Sequence, residues 1–456
     1  VAEDREDIHL NFSPPEWSEY DSYPQWLKDR LEWFQDMKFG FFMHWGIYSQ
    51  WGCIESWPLV EDAPWARPDD LPAWKERGYN LARFRRDYWD LNRTFNPQHF
   101  EPEQWADLAA RAGTKYVCFT TKHHDGFCMF DTQTTDYKVT GPDCPFHTNP
   151  RANVAREVFD AFRARDFAIW CYFSKSDDHC PYYWDPARPA PDRNPNYDTA
   201  AEPERWEQFR RFVYTQIEEL MTGYGPIDCL WLDGGQVRPP QQDIRMDLIA
   251  EMARGHQPGL IIADRTVGGP YENIITPEQV VPEQPLGVPW ESCLTVGDSW
   301  SFRPNDNYKS VRTLVHLLID TVAKGGNLLL NVGPDADGVI PAEAAARLEG
   351  MGEWLAVNGE AIYGTRPIAP YKEGRLCFTR KGDSAYALIL AQEGEPTPPK
   401  QIRLRGLRPA LGTPVHLLGR KPALAWRPEG EEAVIDLPEG PPPCRHALAL
   451  RFTPAL

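Results

Sequence analysis

The chain has 456 residues and carries 66 Asp and Glu against 48 Lys and Arg, a formal net charge of −18. That length exceeds one ordinary domain and suits a barrel of roughly 250 to 350 residues with a smaller partner. The acidity excludes a nucleic-acid surface, which needs clustered basic side chains against phosphate, and no apolar run approaches the roughly 20 residues that span a bilayer.

In chain order, "KFGFFMHWG" (38 to 46) reads as a buried strand, followed by a Trp- and Pro-rich loop and a helix "EPEQWADLAARAG" (101 to 113), with Pro near its start and Gly at its end. "KYVCFTTKHHDGF" is a second strand that runs into two histidines and an aspartate. A helix over 153 to 166, a strand over 167 to 176, a helix over 204 to 225 and the strand and turn "IDCLWLDGG" (227 to 235) come next. A helix around 241 to 255 leads to the strand "GLIIADRT" (259 to 266), and an irregular stretch with Pro and Gly fills 268 to 290. "WESCLTV" (290 to 296), a helix, "NLLLNVGP" (327 to 334) and a helix around 341 to 357 close the series. Near-continuous apolar strands alternating with helices predict a parallel sheet covered on its faces. The number of repeats predicts a (β/α)8-like barrel over 1 to 365; a doubly wound sheet is the competitor, but there is no GxGxxG strand-to-helix turn, and polar residues end every strand rather than one crevice. After residue 365 short alternating runs punctuated by Gly and Pro predict a C-terminal antiparallel β-sandwich over 366 to 456.

The ten cysteines form no CxxC pair, and Cys118, Cys171, Cys229 and Cys377 lie in apolar runs, so they read as small buried hydrophobes in a reducing compartment. A cytoplasmic protein is the expectation, or a secreted or periplasmic one if a signal peptide has been removed, since the chain begins at valine. Sequon-like triplets at Asn11 and Asn92 are within chance. The 18 Trp, 18 Tyr and 21 Phe offer flat faces that suit the C–H faces of sugar rings.

Polar, chemically capable residues end several strands: His44, His123 with His124, Asp233, Arg265 and Glu291. A barrel gathers such ends at one mouth, its C-terminal face. In "DCLWLDGG" the strand period puts Trp231 on the same face as Asp233, beneath it, although an Asp before Gly also serves simply to cap a turn. Adjacent His123 and His124 point to opposite sides of an extended strand and cannot chelate one metal unless the backbone bends, and no HxH, HExxH or Cys/His set lies nearby, so no metal is expected. Two carboxylates on different strands meet the needs of glycoside hydrolysis, and Asp233 and Glu291 are the candidates.

Taken together, "MKFGFFMHWGIYS", "YVCFTTKHHDGFCMFDTQTTDY", "IDCLWLDGG", "ADRT", "WESCLTVGDSW" and "GGNLLLNVGPDADGVIP" resemble, in order, the landmarks of the α-L-fucosidases of glycoside hydrolase family 29, over roughly residues 15 to 365. The resemblance implies a retaining exo-glycosidase, a barrel with a C-terminal sandwich, that removes terminal α-L-fucose from a fucosylated oligosaccharide or glycoconjugate without metal or organic cofactor. It implies Asp233 as nucleophile, Glu291 of the "WE" motif as acid/base with Glu55, Glu278 and Glu283 as rivals, and His44, His123, His124 and Arg265 as sugar-binding groups. Glu55 and Trp57 would lie over the sugar, Trp231 would line it, Tyr172 and Ser174 would match a tyrosine-serine strand end, and Trp300 would form an aromatic wall. "SWSF" at 299 to 302 departs from the family's Trp-Gly-Tyr. An α-L-galactoside hydrolase, a non-catalytic sugar-binding protein and a metal-dependent hydrolase are the alternatives. Nucleic acid and membrane are not expected partners, and a homo-oligomer is left open. Loops 47 to 80 and 176 to 205 are expected to set the linkage preference.

Overall fold

The computed structural model describes residues 11–394 and 399–455. Seven strands form one curled parallel sheet: β1 (Phe39–Met43), β2 (Tyr116–Lys122), β3 (Ala168–Ser174), β4 (Cys229–Asp233), β5 (Ile261–Asp264), β6 (Glu291–Thr295) and β7 (Asn327–Val332), in the order β5-β4-β3-β2-β1-β7-β6. Their residues are buried on both faces, with Asp233 at the end of β4 the one exception. The two faces do different jobs. In β2, Val117 and Phe119 pack outward among the helices, while Tyr116 and Cys118 turn into the interior. In β3, Ile169, Cys171 and Phe173 face outward, and Trp170 and Tyr172 inward, as the two-residue period of a strand requires.

The interior is filled largely by aromatic rings. Helix α1 (Gln25–Met37) buries Leu27, Leu31, Phe34 and Met37 against it, and Phe34 meets Tyr116 and Trp170 with ring centroids 6.1 and 5.9 Å apart. This plug closes the end of the sheet where the strands begin, so only the end where they finish can open to solvent.

The sheet is barrel-like, but between β5 and β6 an irregular segment takes the place of a strand among the described residues. It is held by Asn273 N–H to Ile262 O, Glu291 N–H to Ile275 O and Cys293 N–H to Pro277 O, at 2.8, 2.9 and 3.0 Å. Pro270, Pro277, Pro282, Pro285 and Pro289 lack the N–H a ladder needs, which confines this stretch to isolated bridges. Beyond the barrel-like unit, a six-stranded and a three-stranded antiparallel sheet, starting at Arg366, enclose a separate core around Phe378, Leu404 and Leu450. The indole of Trp354 donates to Ala447 O at 2.8 Å and ties the last barrel helix to these sheets.

Candidate active site

A cavity of about 1330 Å³ opens at the ends of the strands, and its wall includes His44, His123, His124, Trp231, Asp233 and Arg265. The bend that places both His123 and His124 there follows β2. Asp125 accepts from Phe127 N–H at 3.1 Å and from Tyr88 O–H at 2.9 Å, an Asx-type turn. Gly126 then adopts φ +81°, and a Cβ there would lie 2.2 Å from Asp177 Oδ1. With the chain turned in this way, the two imidazole centroids are only 4.3 Å apart.

Each of the three histidines spends its Nδ1 on the protein. His44 Nδ1–H donates to Asn331 Oδ1 at 2.7 Å, an orientation set by the Asn331 amide, which itself donates to Trp300 O. His123 Nδ1 meets Ser56 Oγ at 2.8 Å, and His124 Nδ1 meets Ser174 Oγ at 2.6 Å. Burial lowers all three, His44 and His124 to about 4 and His123 well below its ordinary value. At neutral pH they are uncharged, each a hydrogen-bonding group for hydroxyls.

Asp233 ends β4. Its Oδ2 accepts from Tyr172 O–H at 2.8 Å, and its Oδ1 from Gly234 N–H at 2.8 Å and from Arg265 Nη1 at 3.1 Å. Gly234 takes φ +82°, where a Cβ would crowd Ser176. Burial by itself would raise this carboxyl, but the Arg265 guanidinium, the neighbouring imidazoles of His124 and His123 and the Gly234 N–H together outweigh it and hold the group well below the usual carboxylate range. Asp233 keeps 21% of its side-chain surface exposed, so the site contains an ionised carboxylate oxygen that a ligand can reach. Arg265 lies over the Trp231 ring at 4.4 Å and donates through Nη2 to Glu278 Oε2 at 2.7 Å. One guanidinium therefore bridges two carboxylates that both line the cavity.

Glu55 also lines the cavity, with its backbone at φ +35°, a region rare outside glycine. Its Oε1 accepts from Ser301 N–H at 2.7 Å, and its buried Oε2 has no hydrogen-bond partner. Burial, opposed by the bonds from Ser301, lifts it to about 8. Trp57 stands edge-on to His124 at 5.8 Å, and Trp300 packs against His44 at 5.1 Å; both reach the cavity.

Two expectations change. Glu291 is not at the mouth. It is the first residue of β6, opposite Asn327 at the start of β7, fully buried, and absent from the cavity wall. Its oxygens accept from Tyr116 O–H at 2.8 Å and Trp231 Nε1–H at 2.9 Å. Burial lifts it to about 7 against these two donors. An acid/base group must meet the departing oxygen and then a water, and Glu291 is buried away from the cavity wall. It acts as a strut under the indole that carries Arg265. Tyr172 is likewise fully buried, stacked on Trp231 at 5.3 Å, and reaches Asp233 rather than the cavity. Of the rivals, Glu283 is exposed and outside the wall, whereas Glu55 and Glu278 are in it. Asn331, Ser56 and Thr276 support the site from behind: they hold His44, His123 and, through its Nε at 3.0 Å, Arg265. Asn331 alone carried a usable signal, as a polar residue ending an apolar strand.

Replacing Glu291 tests the strut. Glu291→Ala should cost about 3 kcal/mol of stability in denaturant unfolding, because two buried donors lose their acceptor and a void opens. Glu291→Gln, whose amide oxygen can still take the Trp231 N–H, should keep most of both stability and turnover. Loss of turnover in a well-folded Glu291→Gln would restore it as the acid/base.

His123, His124 and Asp233 present possible ligand atoms within 4.8 Å of one another. Both Asp233 oxygens are already engaged, and Arg265 puts a fixed positive charge against one of them, so a cation there would compete with the guanidinium. All ten cysteines are free thiols.

Known proteins share this architecture. The family model for α-L-fucosidase matches residues 12–360. Tissue α-L-fucosidase of Mus musculus is 28% identical over 459 residues, spanning 96% of this chain and 94% of the relative; that of Homo sapiens is 27% identical over 482 residues, spanning 96% and 91%. Among solved structures, α-L-fucosidase isoenzyme 1 from Paenibacillus thiaminolyticus has a TM-score of 0.76 at 28% identity, covering 94% of this chain and 100% of that one. Thermotoga maritima α-fucosidase in complex with a mechanism-based inhibitor has a TM-score of 0.75 at 28% identity, covering 97% and 100%. The match spans the barrel strands and every cavity-forming loop from residue 12 onward, and the chain belongs to the α-L-fucosidase family of glycoside hydrolases.

Proposed function

We propose that the enzyme releases terminal α-L-fucose from fucosylated glycans with retained configuration, through an ester between the sugar and Asp233. The observation that carries this reading is an ionised, solvent-reachable Asp233 sharing one guanidinium with Glu278. Asp233 attacks C1 while the bond from C1 to the leaving oxygen breaks, and Glu278, which enters this step protonated and leaves it as the carboxylate paired with Arg265, gives that oxygen its proton. A water then attacks C1 of the ester, Glu278 takes the water's proton, and the carboxylate of Asp233 departs. Retention needs carboxyl groups about 5 to 5.5 Å apart, against about 6.5 to 9.5 Å for inversion, and a shared guanidinium favours the shorter spacing. Glu278 has 41% of its side chain exposed, which suits a group that must meet water in the second step; buried Glu55 is less suited. The neutral imidazoles of His44, His123 and His124 take sugar hydroxyls, and Trp57 and Trp300 take its apolar edge. The mechanism-based inhibitor bound by the Thermotoga maritima relative also supports a nucleophilic mechanism. Proton NMR of early hydrolysis distinguishes the outcomes: α-fucose appearing first supports the proposal, and β-fucose first overturns it.

The titrating groups define a pH window. Below about 4, His44 and His124 gain protons, lose their acceptor nitrogens and add positive charge beside Arg265. Above about 8, Glu55 loses the proton with which it can donate to a sugar hydroxyl and adds negative charge that acts on Glu278. With an aryl fucoside whose leaving group needs no proton, kcat/KM should stay level between these values and fall outside them. Glu55→Gln should move the alkaline limb upward; an unmoved limb would remove Glu55 from this role.

A further inference from the structure

The cavity is far larger than a fucose subsite. Its roughly 1330 Å³ exceed the roughly 300 to 1,000 Å³ of pockets that hold a drug-sized molecule. The surplus does not come mainly from loops 47 to 80 and 176 to 205, which contribute only Glu55, Trp57, Arg193 and Asn194 to the wall. It lies beyond Asp233 and Glu278, between the chain following β4 (residues 234 to 247), the chain following β5 (266 to 271) and the N-terminal stretch from Asn11 to Glu19.

That N-terminal stretch is built into the wall. Gly269 N–H donates to Trp17 O at 3.0 Å and Glu278 N–H to Asn11 O at 3.1 Å. Ser13 Oγ–H donates at 2.6 Å to Glu272, a buried carboxylate that also receives Gly268 N–H at 2.6 Å and Thr266 N–H at 3.1 Å. The stretch thus presents the half-buried Trp17 to the groove, with the half-buried Tyr271 on the neighbouring loop. Glu278, the residue that faces the leaving oxygen, marks where this groove begins.

The charge on the groove wall is uneven. Glu16, Glu19, Asp243 and Asp247 share the wall with Arg193 and Arg238, and Arg265 lies against Asp233 and Glu278. Asp243 and Asp247 have arginine partners in Arg210 and Arg245, whereas Glu16 and Glu19 are exposed and form no ion pair among the described residues. Aromatic faces favour the C–H faces of further sugar rings, and the carboxylates disfavour an anionic chain.

We infer that this groove is a leaving-group site for a neutral oligosaccharide, with Trp17 and Tyr271 as its stacking surfaces and Glu16 and Glu19 selecting against sialylated or sulfated chains. The inference rests on the proposed fucoside hydrolysis and adds the class of glycan that is released. It is tested on the full chain with three substrates: an aryl α-L-fucoside, a neutral fucosylated tetrasaccharide and its sialylated counterpart. The wild-type enzyme should favour the neutral over the sialylated glycan about tenfold in kcat/KM at low salt, and less at high salt as the charges are screened. Glu16→Gln with Glu19→Gln should narrow that gap. Trp17→Ala should lower the ratio of tetrasaccharide to aryl-fucoside kcat/KM about tenfold, chiefly through KM. Equal cleavage of neutral and sialylated glycans, or a Trp17→Ala ratio equal to that of the wild type, overturns the inference. Failure of the wild type to cleave the aryl fucoside would instead remove the proposed function beneath it.

Discussion

Replacing Asp233 by glycine is expected to lower kcat roughly 10⁴- to 10⁶-fold, the scale on which enzymes lose a catalytic nucleophile, while the protein stays folded. Of the groups that hold the side chain, the guanidinium keeps other partners when it goes. Arg265 keeps Glu278 and Thr276, and its place over Trp231. Loss of the acceptor for the buried Tyr172 O–H and of the ion pair with Arg265 should cost about 1 to 3 kcal/mol, a lowered melting temperature with the fold retained. The void beside C1 should admit azide, which enters from the vacated side and gives β-fucosyl azide from an activated α-fucoside. Tyr172→Phe offers a graded counterpart: it removes one hydrogen bond to Asp233 Oδ2, and the loss should be far smaller. Near-normal hydrolysis by Asp233→Gly would show that the attacking group is another residue.

The second large effect belongs to Glu278. With Glu278→Ala, kcat/KM on a glycan with an unactivated leaving oxygen should fall about 10²- to 10⁴-fold, the range for removal of a positioned acid. An aryl fucoside with a good leaving group should lose much less in its first step, and the ester should then accumulate. Azide should rescue this variant with α-fucosyl azide, because it takes the place of the water that attacks the ester. Opposite product configurations from the two variants would separate nucleophile from acid without reference to rate. If Glu55→Ala rather than Glu278→Ala gave α-fucosyl azide, the proton donor would be the buried glutamate of the β1 loop.

The contrast between Glu278 and Glu291 also explains what could be read from the amino-acid order. Strands such as "KYVCF" and "NLLLN" were legible because parallel strands buried on both faces must be apolar throughout, and the polar residue that follows each one marks its exit. His44, His123, His124, Asp233 and Arg265 all follow that rule and all meet in the cavity. Glu291 obeys the opposite geometry: it begins its strand, so the barrel carries it to the closed end, where Tyr116 and Trp231 satisfy it. Tyr172 has the interior parity expected of a sugar contact but sits two residues short of the strand end, within reach of Asp233 and not of the cavity. Glu278 left no periodic signal at all. Its position depends on a proline-interrupted stretch pinned between β5 and β6 by scattered backbone bonds, which no spacing rule describes. The bend at His123 to Asp125 was legible for the reverse reason, since Asp-Gly has a specific turn chemistry.

Incubation with a 5-fluoro-fucosyl fluoride, which forms the ester quickly and hydrolyses it slowly, followed by peptide mass mapping, tests the covalent step most directly. The account predicts one fluorofucosyl adduct, on the peptide containing "LWLDGG", at Asp233. An adduct on another carboxylate, or turnover of the reagent with no adduct under rapid quenching, would contradict it.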